Sequence, residues 1–259
     1  MDQGVLAIMA QVEPYHWWYQ GLRKVLASCL RCVDPPVSSH PRVLDAGCGT
    51  GENLRLLADL FQPSYLAGFD TSEEALTLAR QRVPGADLYR SDICAPVLHV
   101  EQLDVVISCD VIYIPGVERS MAGLQRLVDH LAPGGLLVLN LPAYQWLYSE
   151  HDVAIHTKER YTARSVRALL ARLGLSVELL SYRVCFLFPA VALARLARKP
   201  KWRHRPQRAR TDLDRTPPGL LNDLLASVLH VESRLIASGV FLPWGSSVFA
   251  VGRKPHRRI

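Results

Sequence analysis

The sequence predicts a doubly wound α/β fold on a mostly parallel, seven-stranded sheet, with a helical segment at its start and a helical insertion before the last strand. Three observations carry this expectation. Short apolar stretches alternate with helix-length amphipathic ones, the pattern of strand–helix–strand units. A glycine-rich turn, Gly47 to Gly51, joins the first of those strands to a helix. Two later strands end on the acids Asp70 and Asp92, where an open sheet of this kind meets a ligand.

Taken in order, residues 1–33 read as helical, with a break at Glu13-Pro14 and the aromatic cluster His16-Trp17-Trp18-Tyr19 beyond it. Pro35, Pro36, Ser38 and Ser39 make a loop before the first strand, 42–44, and a helix follows the glycines from Glu52. The second strand is 65–69, after which Thr71 and Glu74 suit a capping box. A third strand covers 87–90, and 103–108 is a continuous apolar strand of the buried parallel kind. A helix over 117–130 precedes the turn Pro133-Gly134-Gly135 and a strand over 136–140. Thr162 caps a helix that Gly174 ends, and strands 176–184 and 246–252 complete the sheet.

The long interval between those last two strands is too long for a structureless loop in a compact domain, so a helical cap is expected there. It holds an apolar, proline-broken stretch from Phe186 to Leu193, a basic run, and a helix over 218–238. The organisation predicted is an N-terminal helical lid over 1–34, a central domain over 35–184 and 246–259, and an insertion over 185–245 that caps its ligand site.

No apolar run approaches the ~18 residues that span a bilayer. The first residues, Met1-Asp2-Gln3-Gly4, lack the basic start and cleavage site of a signal peptide, so a cytoplasmic protein is expected, with any membrane association peripheral. Of the formal net charge of +6, the run Arg198 to Arg210 holds seven basic residues and no acid, so the remaining chain is close to neutral. The high pI therefore says little about the catalytic body. Cys29 and Cys32 have Cys-x-x-Cys spacing but no second pair at zinc spacing, so they read as neighbouring turns of a helix and no metal is expected.

The polar residues gather at the predicted strand tips. Gly47, Gly49 and Gly51 let the backbone approach a ligand, and the helix that follows directs amides at an anionic group such as a carboxylate. A dinucleotide fingerprint would need glycine at position 52, which is Glu52. Asp45, directly before the glycines, suits a cationic amino-acid group better than a pyrophosphate. Asp70 is placed for ribose hydroxyls and Asp92 for an adenine amino group.

The segment Val43-Leu44-Asp45-Ala46-Gly47-Cys48-Gly49-Thr50-Gly51 resembles motif I of the class I S-adenosylmethionine-dependent methyltransferases. Phe69-Asp70-Thr71-Ser72 resembles their ribose motif, and Ser91-Asp92-Ile93 their adenine-side motif. Asp104 to Tyr113 is similar to the strand-four motif that contacts the methionine end. The resemblance covers roughly 40–140 and implies S-adenosylmethionine as cofactor, S-adenosylhomocysteine as product, and Asp45, Gly47, Cys48, Gly49, Gly51, Asp70, Thr71, Asp92, Ile93 and Cys109 as the binding set. Ile114 stands where relatives often carry a histidine base. The rest of the chain resembles bacterial small-molecule methyltransferases of the type 11 and 12 kind. These begin His-Trp-Trp and carry Pro-Ala-Tyr and Ser-x-His-Asp after strand five, here Pro142-Ala143-Tyr144 and Ser149-Glu150-His151-Asp152.

An imidazole titrates near neutral pH and suits proton removal from an acceptor, which makes His151 the preferred base, with Tyr144 beside it and His156 a weaker candidate. A purely structural His151 fits the sequence equally well. Tyr19 or Arg23 is a candidate to reach the cofactor carboxylate if His16–Tyr19 closes as a lid; the alternative is that the tryptophans pack the helix on the sheet. The stretch 186–210 reads as a pocket cap, a peripheral contact with an anionic membrane, or a solvated loop.

The expected acceptor is a small, fairly apolar molecule (a natural product, quinone or lipid-linked precursor), with oxygen favoured over nitrogen or carbon. Nucleic acid is disfavoured: Cys109-Asp110-Val111-Ile112 replaces the motif of base-directed amino methyltransferases. A non-catalytic cofactor-binding protein is the third reading.

Overall fold

In the computed structural model, residues 3–197 and 217–256 are described, with side chains from Ile8 onward. The basic run 198–210 and the C-terminal Arg257 and Arg258 lie outside the described residues. The seven strands are β1 (Arg42–Ala46), β2 (Tyr65–Asp70), β3 (Asp87–Arg90), β4 (Leu103–Cys109), β5 (Leu131–Pro142), β6 (Ser176–Arg183) and β7 (Ser247–Arg253). They form one sheet in the order β3-β2-β1-β4-β5-β7-β6, parallel except for β7, which runs antiparallel to both β5 and β6. The order reverses between β1 and β4, and there a crevice opens beyond the strand ends.

Alternation along the strands sorts the core onto two faces. Leu44, Val106, Leu137, Leu139 and Ala250 point to the face covered by α5 (Val117–Asp129) and α7 (Ala163–Arg172). Val43, Val105, Ile107, Val138 and Phe249 point to the other, covered by α2 (Trp17–Cys32), α3 (Glu52–Phe61) and α9 (Gly219–Ala237). Helix α2 presents Leu22, Val25, Leu26, Cys29 and Leu30, a three-to-four-residue period that makes one apolar stripe. The shorter α1 (Gln3–Val12) precedes it, separated by the break at Glu13-Pro14.

Two elements depart from the sequence expectation. Strand β5 begins at Leu131 and includes Pro133-Gly134-Gly135. The Gly134 amide donates to the Lys254 carbonyl (2.8 Å) and the Lys254 amide to the Gly135 carbonyl (2.9 Å), so β7's end carries the pairing through the glycines. The cap of α4 (Glu73–Arg82) is Ser72 rather than Thr71: Asp70 Oδ1 accepts the Ser72 amide at 3.0 Å, and Ser72 Oγ accepts from the Ala75 amide at 3.2 Å. Thr71 is left exposed at the strand tip.

The 185–245 stretch contributes α8 (Phe188–Ala197) and α9. Its junction with the sheet is polar and buried. The Glu232 carboxylate accepts the amides of Val184, Cys185 (2.6 Å) and Phe186 (3.2 Å), just past the end of β6. Arg183, fully buried, donates to the Trp18 carbonyl (3.0 Å) and lies 4.7 Å over the Trp18 ring. Glu232→Ala would leave the Val184 and Cys185 amides buried without an acceptor; we expect roughly 2 kcal/mol lost in urea unfolding, whereas a surface variant such as Glu101→Ala is expected to change little. Among the described residues no helix is long and apolar enough to cross a membrane.

Candidate cofactor and acceptor site

A cavity of about 480 Å³ lies over the tips of β1, β2 and β4, within the size range of small-molecule sites. Its floor is the glycine-rich turn. The amides of Gly47 and Cys48 both donate to the Phe69 carbonyl (2.9 Å each), and the Gly49 amide donates to Asp70 Oδ2 (3.0 Å). The end of β2 thus fixes the turn before any ligand arrives. Gly49 (φ +52°) faces open space, since a Cβ there would meet nothing closer than the Met9 methyl at 3.6 Å.

Gly51 does different work from that expected of it. With φ +90°, it begins α3, and a Cβ there would lie 3.0 Å from the Ala79 Cα. It sets the approach of α3 to α4 and does not line the cavity.

Gly47, Cys48, Asp70, Thr71, Ile93 and Cys109 line the cavity. Asp92 does not: it is exposed, and its Oδ1 accepts the Cys94 amide at 2.8 Å, while the neighbouring Ser91 and Ile93 form the wall. Asp45 does not line the cavity either: it is buried behind the turn, and neither carboxylate oxygen has a hydrogen-bond partner. Burial, with Asp70 and Glu13 nearby, raises its carboxyl well above the usual range. A buried, unsatisfied acid beside an open cavity is what a cationic ligand group or its water would complete. Asp70 spends one lone pair of each oxygen on the Gly49 and Ser72 amides, leaving others for ligand hydroxyls. We expect Asp70→Ala to weaken S-adenosylhomocysteine binding by roughly 1–3 kcal/mol in calorimetry; unchanged affinity would remove Asp70 as a ribose contact.

The N-terminal segment roofs this end. Thr50 Oγ1 donates to Glu13, and Arg82 donates to Glu13 Oε2 (3.1 Å), the Thr50 carbonyl (3.1 Å) and the Ala10 carbonyl (2.7 Å). This network clasps the α1–α2 corner to the glycine-rich turn. Glu13 is buried and lines the cavity; burial raises its carboxyl although Thr50 and Arg82 oppose the shift. His16 caps α2, accepting the Trp18 amide at 3.3 Å, and Trp17, Trp18 and Tyr19 also face the cavity. Arg23 turns away from it: its Nη2 donates to the carbonyls of Glu13 and Pro14, at 2.9 Å each, ending the segment before α2.

At the tip of β4, Asp110 (φ +59°) lines the cavity. Its Oδ2 accepts from Asn140 Nδ2 at 2.8 Å. Burial raises its carboxyl to about 6, with the Arg183 charge and the Asn140 hydrogen bond holding it back from a larger shift.

The far wall comes from the turn after β5, from α6 (Glu150–Ala154) and from α8. Ser149 and Asp152 form a capping box that starts α6. Asp152 also joins Arg160 (2.5 Å) and Arg195 of α8 (3.0 Å), and all three line the cavity. Burial would raise the Asp152 carboxyl, yet the two guanidiniums hold it below its ordinary value. His151 is half-buried and lines the cavity, while His156 is exposed.

Tyr144 does not line the cavity. Its ring stacks on Tyr182 (5.0 Å) and Trp146 (5.7 Å) and meets Phe188 of α8 (5.8 Å), so it anchors the cap from behind. Burial raises its phenol further from the neutral range, which removes it as a base.

Four cavity residues escaped the sequence reading. Asp110 sat inside the strand-four motif but carried no signal of its own. Glu13, Arg160 and Arg195 come from segments outside the matched motifs, and only the folded chain brings them to one cavity. Among the described residues no cluster of His, Cys, Asp and Glu is placed to hold a metal ion.

Residues 43–135 match the family described as a methyltransferase domain. The chain is 35% identical over 113 residues to trans-aconitate 2-methyltransferase of Acidovorax sp. (strain JS42), a match covering 40% of this chain and 40% of that relative. It thus spans about two fifths of that relative's length. Among solved structures, it is similar to a chain from the complex containing the Trm112 methyltransferase activator of Haloferax volcanii. That likeness has a TM-score of 0.62 and 20% identity, and covers 99% of this chain and 96% of that one. A second is an S-adenosylmethionine-dependent methyltransferase from Mesorhizobium loti, with a TM-score of 0.55, 18% identity, and coverage of 84% and 93%. At such identities the two structures establish the shared fold.

Proposed function

From a chain whose residues 43–135 match a methyltransferase domain, we propose an S-adenosylmethionine-dependent enzyme that methylates a small acceptor, at oxygen in preference to nitrogen or carbon. The observation that carries this reading is a glycine-rich turn, fixed by Phe69 and Asp70 on the cavity floor, with the buried and unsatisfied Asp45 directly behind it. Those groups suit an amino-acid end and a ribose, and S-adenosylmethionine is the cofactor they would hold. When bound, it supplies a methyl group already activated on a sulfonium.

The chain's own contribution is then positional. The turn and Asp70 hold one end of the cavity, and Glu13 with Trp17, Trp18 and Tyr19 closes it from water. Ile114, Pro142, Ile155, Val191 and Ala194 supply an apolar surface for the acceptor's body, supporting a fairly apolar molecule. His151 takes the proton that an acceptor hydroxyl releases as its oxygen is alkylated. In this account α1 and α2 act as a lid and the 185–245 stretch as the acceptor cap.

Incubation of the purified protein with methyl-labelled S-adenosylmethionine and fractionated cell extract tests the reading. Label is expected in the low-molecular-mass organic fraction. Label confined to nucleic acid would replace the acceptor class, and cofactor binding with no labelled fraction would indicate a protein that binds without turnover.

A further inference from the structure

The cavity is sorted by charge. Carboxylates (Glu13, Asp70, Asp110) belong to its cofactor end and the β4 tip, whereas Arg160 and Arg195 stand where α6, α8 and the turn after β5 form the wall. These two guanidiniums come from distant parts of the chain and are drawn together by one acid. Asp152 Oδ1 takes Arg160 Nη1 and Oδ2 takes Arg195 Nη1, and Oδ2 also accepts the Ser149 amide at 2.9 Å. Both oxygens of the carboxylate are engaged, so a single acid holds two guanidiniums against the cavity.

The trio is largely buried. Side-chain exposure is 2% for Arg160, 1% for Asp152 and 14% for Arg195. Desolvated guanidiniums are costly, and their planar donor forks match oxyanions. Arg160 is also locked in place, its Nε donating to the carbonyls of Ala143 (2.9 Å) and Tyr144 (3.1 Å). Arg160 also acts on the Asp110 carboxylate, which is hydrogen-bonded to Asn140 and faces Arg183 as well. Beside the trio lie the apolar side chains of Val191, Ala194 and Ile155.

We infer that the acceptor carries an oxyanion, a carboxylate or a phosphate, seated against Arg160 and Arg195, with its apolar body along α8. The inference rests on the methyl-transfer reading and names the substrate class for that cavity. The oxyanion is a handle: it sets which way the acceptor enters and which of its atoms faces the methyl. The family match at 43–135 stops short of Arg160 and Arg195, so this wall is a property of the chain's own second half.

The test uses the full chain saturated with S-adenosylhomocysteine and titrated calorimetrically with benzoate, phenyl phosphate and benzyl alcohol. At least one of the two anions is expected to bind tenfold or more tightly than the neutral alcohol, and which of them wins separates carboxylate from phosphate. Arg195→Gln is expected to erase that preference, and Arg195→Lys to retain part of it. S-adenosylhomocysteine binding by each variant reports that it is folded. An anion preference that is absent from the wild type, or that survives Arg195→Gln, would overturn the inference and leave the trio as a brace between α6 and α8. Failure of the wild type to bind S-adenosylhomocysteine at all would instead overturn the underlying cofactor reading.

Discussion

His151→Ala is expected to lower turnover about 100-fold while leaving cofactor affinity unchanged, the scale of a lost general base. Helix α6 is held by the Ser149–Asp152 capping box and by Arg160 and Arg195. A hydroxyl acceptor is a poor nucleophile until its proton leaves, so the effect belongs in kcat, with KM little altered. Steady-state kinetics on the labelled acceptor fraction decide it. Full activity in the variant would shift the role to Asp110, whose carboxyl titrates at about 6 on the same cavity. Activity would then fall as pH drops through that value, and Asp110→Asn would abolish it.

Asp45→Asn should have two opposed effects. The carboxyl is buried without a hydrogen-bond partner, and burial together with Asp70 and Glu13 raises it well above the reference value of 3.8. For an acid raised in the folded state, the related stability is present below the unfolded value and is lost as pH climbs through the folded one. At higher pH the ligand-free wild type therefore bears an ionisation penalty that asparagine removes. The variant is expected to melt a few degrees higher, at ~2–4 °C per kcal/mol for a chain of this size.

Cofactor affinity is expected to fall at the same time, by roughly 1–3 kcal/mol, because the cationic ligand group loses its counter-charge. Cofactor uptake by the wild type should also release a proton, so the measured heat will vary with the buffer's ionisation enthalpy, and this dependence should vanish in the variant. A lower melting temperature with unchanged affinity would assign Asp45 to the scaffold alone.

The strand tips were legible in the sequence because their signals are local. Each is a residue type within a few positions of a strand end, and the sheet's topology then brings Gly47–Gly49, Asp70 and Ile93 together. Where the structure differs from the sequence expectation, a contact that the motif does not encode decided. Gly51 answers to Ala79 across a helix pair, and Arg23 to the carbonyls that end the preceding segment. Asp92 turns to its own loop. Tyr144 looked catalytic because it follows β5, yet Tyr182 and Phe188 draw it into an aromatic stack behind the wall.

Strand β5 lengthens through its glycines only because β7 returns beside it from the end of the chain. The acceptor wall was the least legible part. Arg160 and Arg195 acquire meaning through Asp152, and neither carries a local pattern that announces the meeting.

The most direct test is a crystal structure of the protein grown with S-adenosylhomocysteine in excess. The ligand's amino-acid end is expected over Gly47–Gly49 beside Asp45, its ribose hydroxyls on Asp70, and its sulfur turned toward the wall that carries His151. A glycine-rich turn that stays bare under those conditions, or a ligand seated on another surface, would contradict that placement.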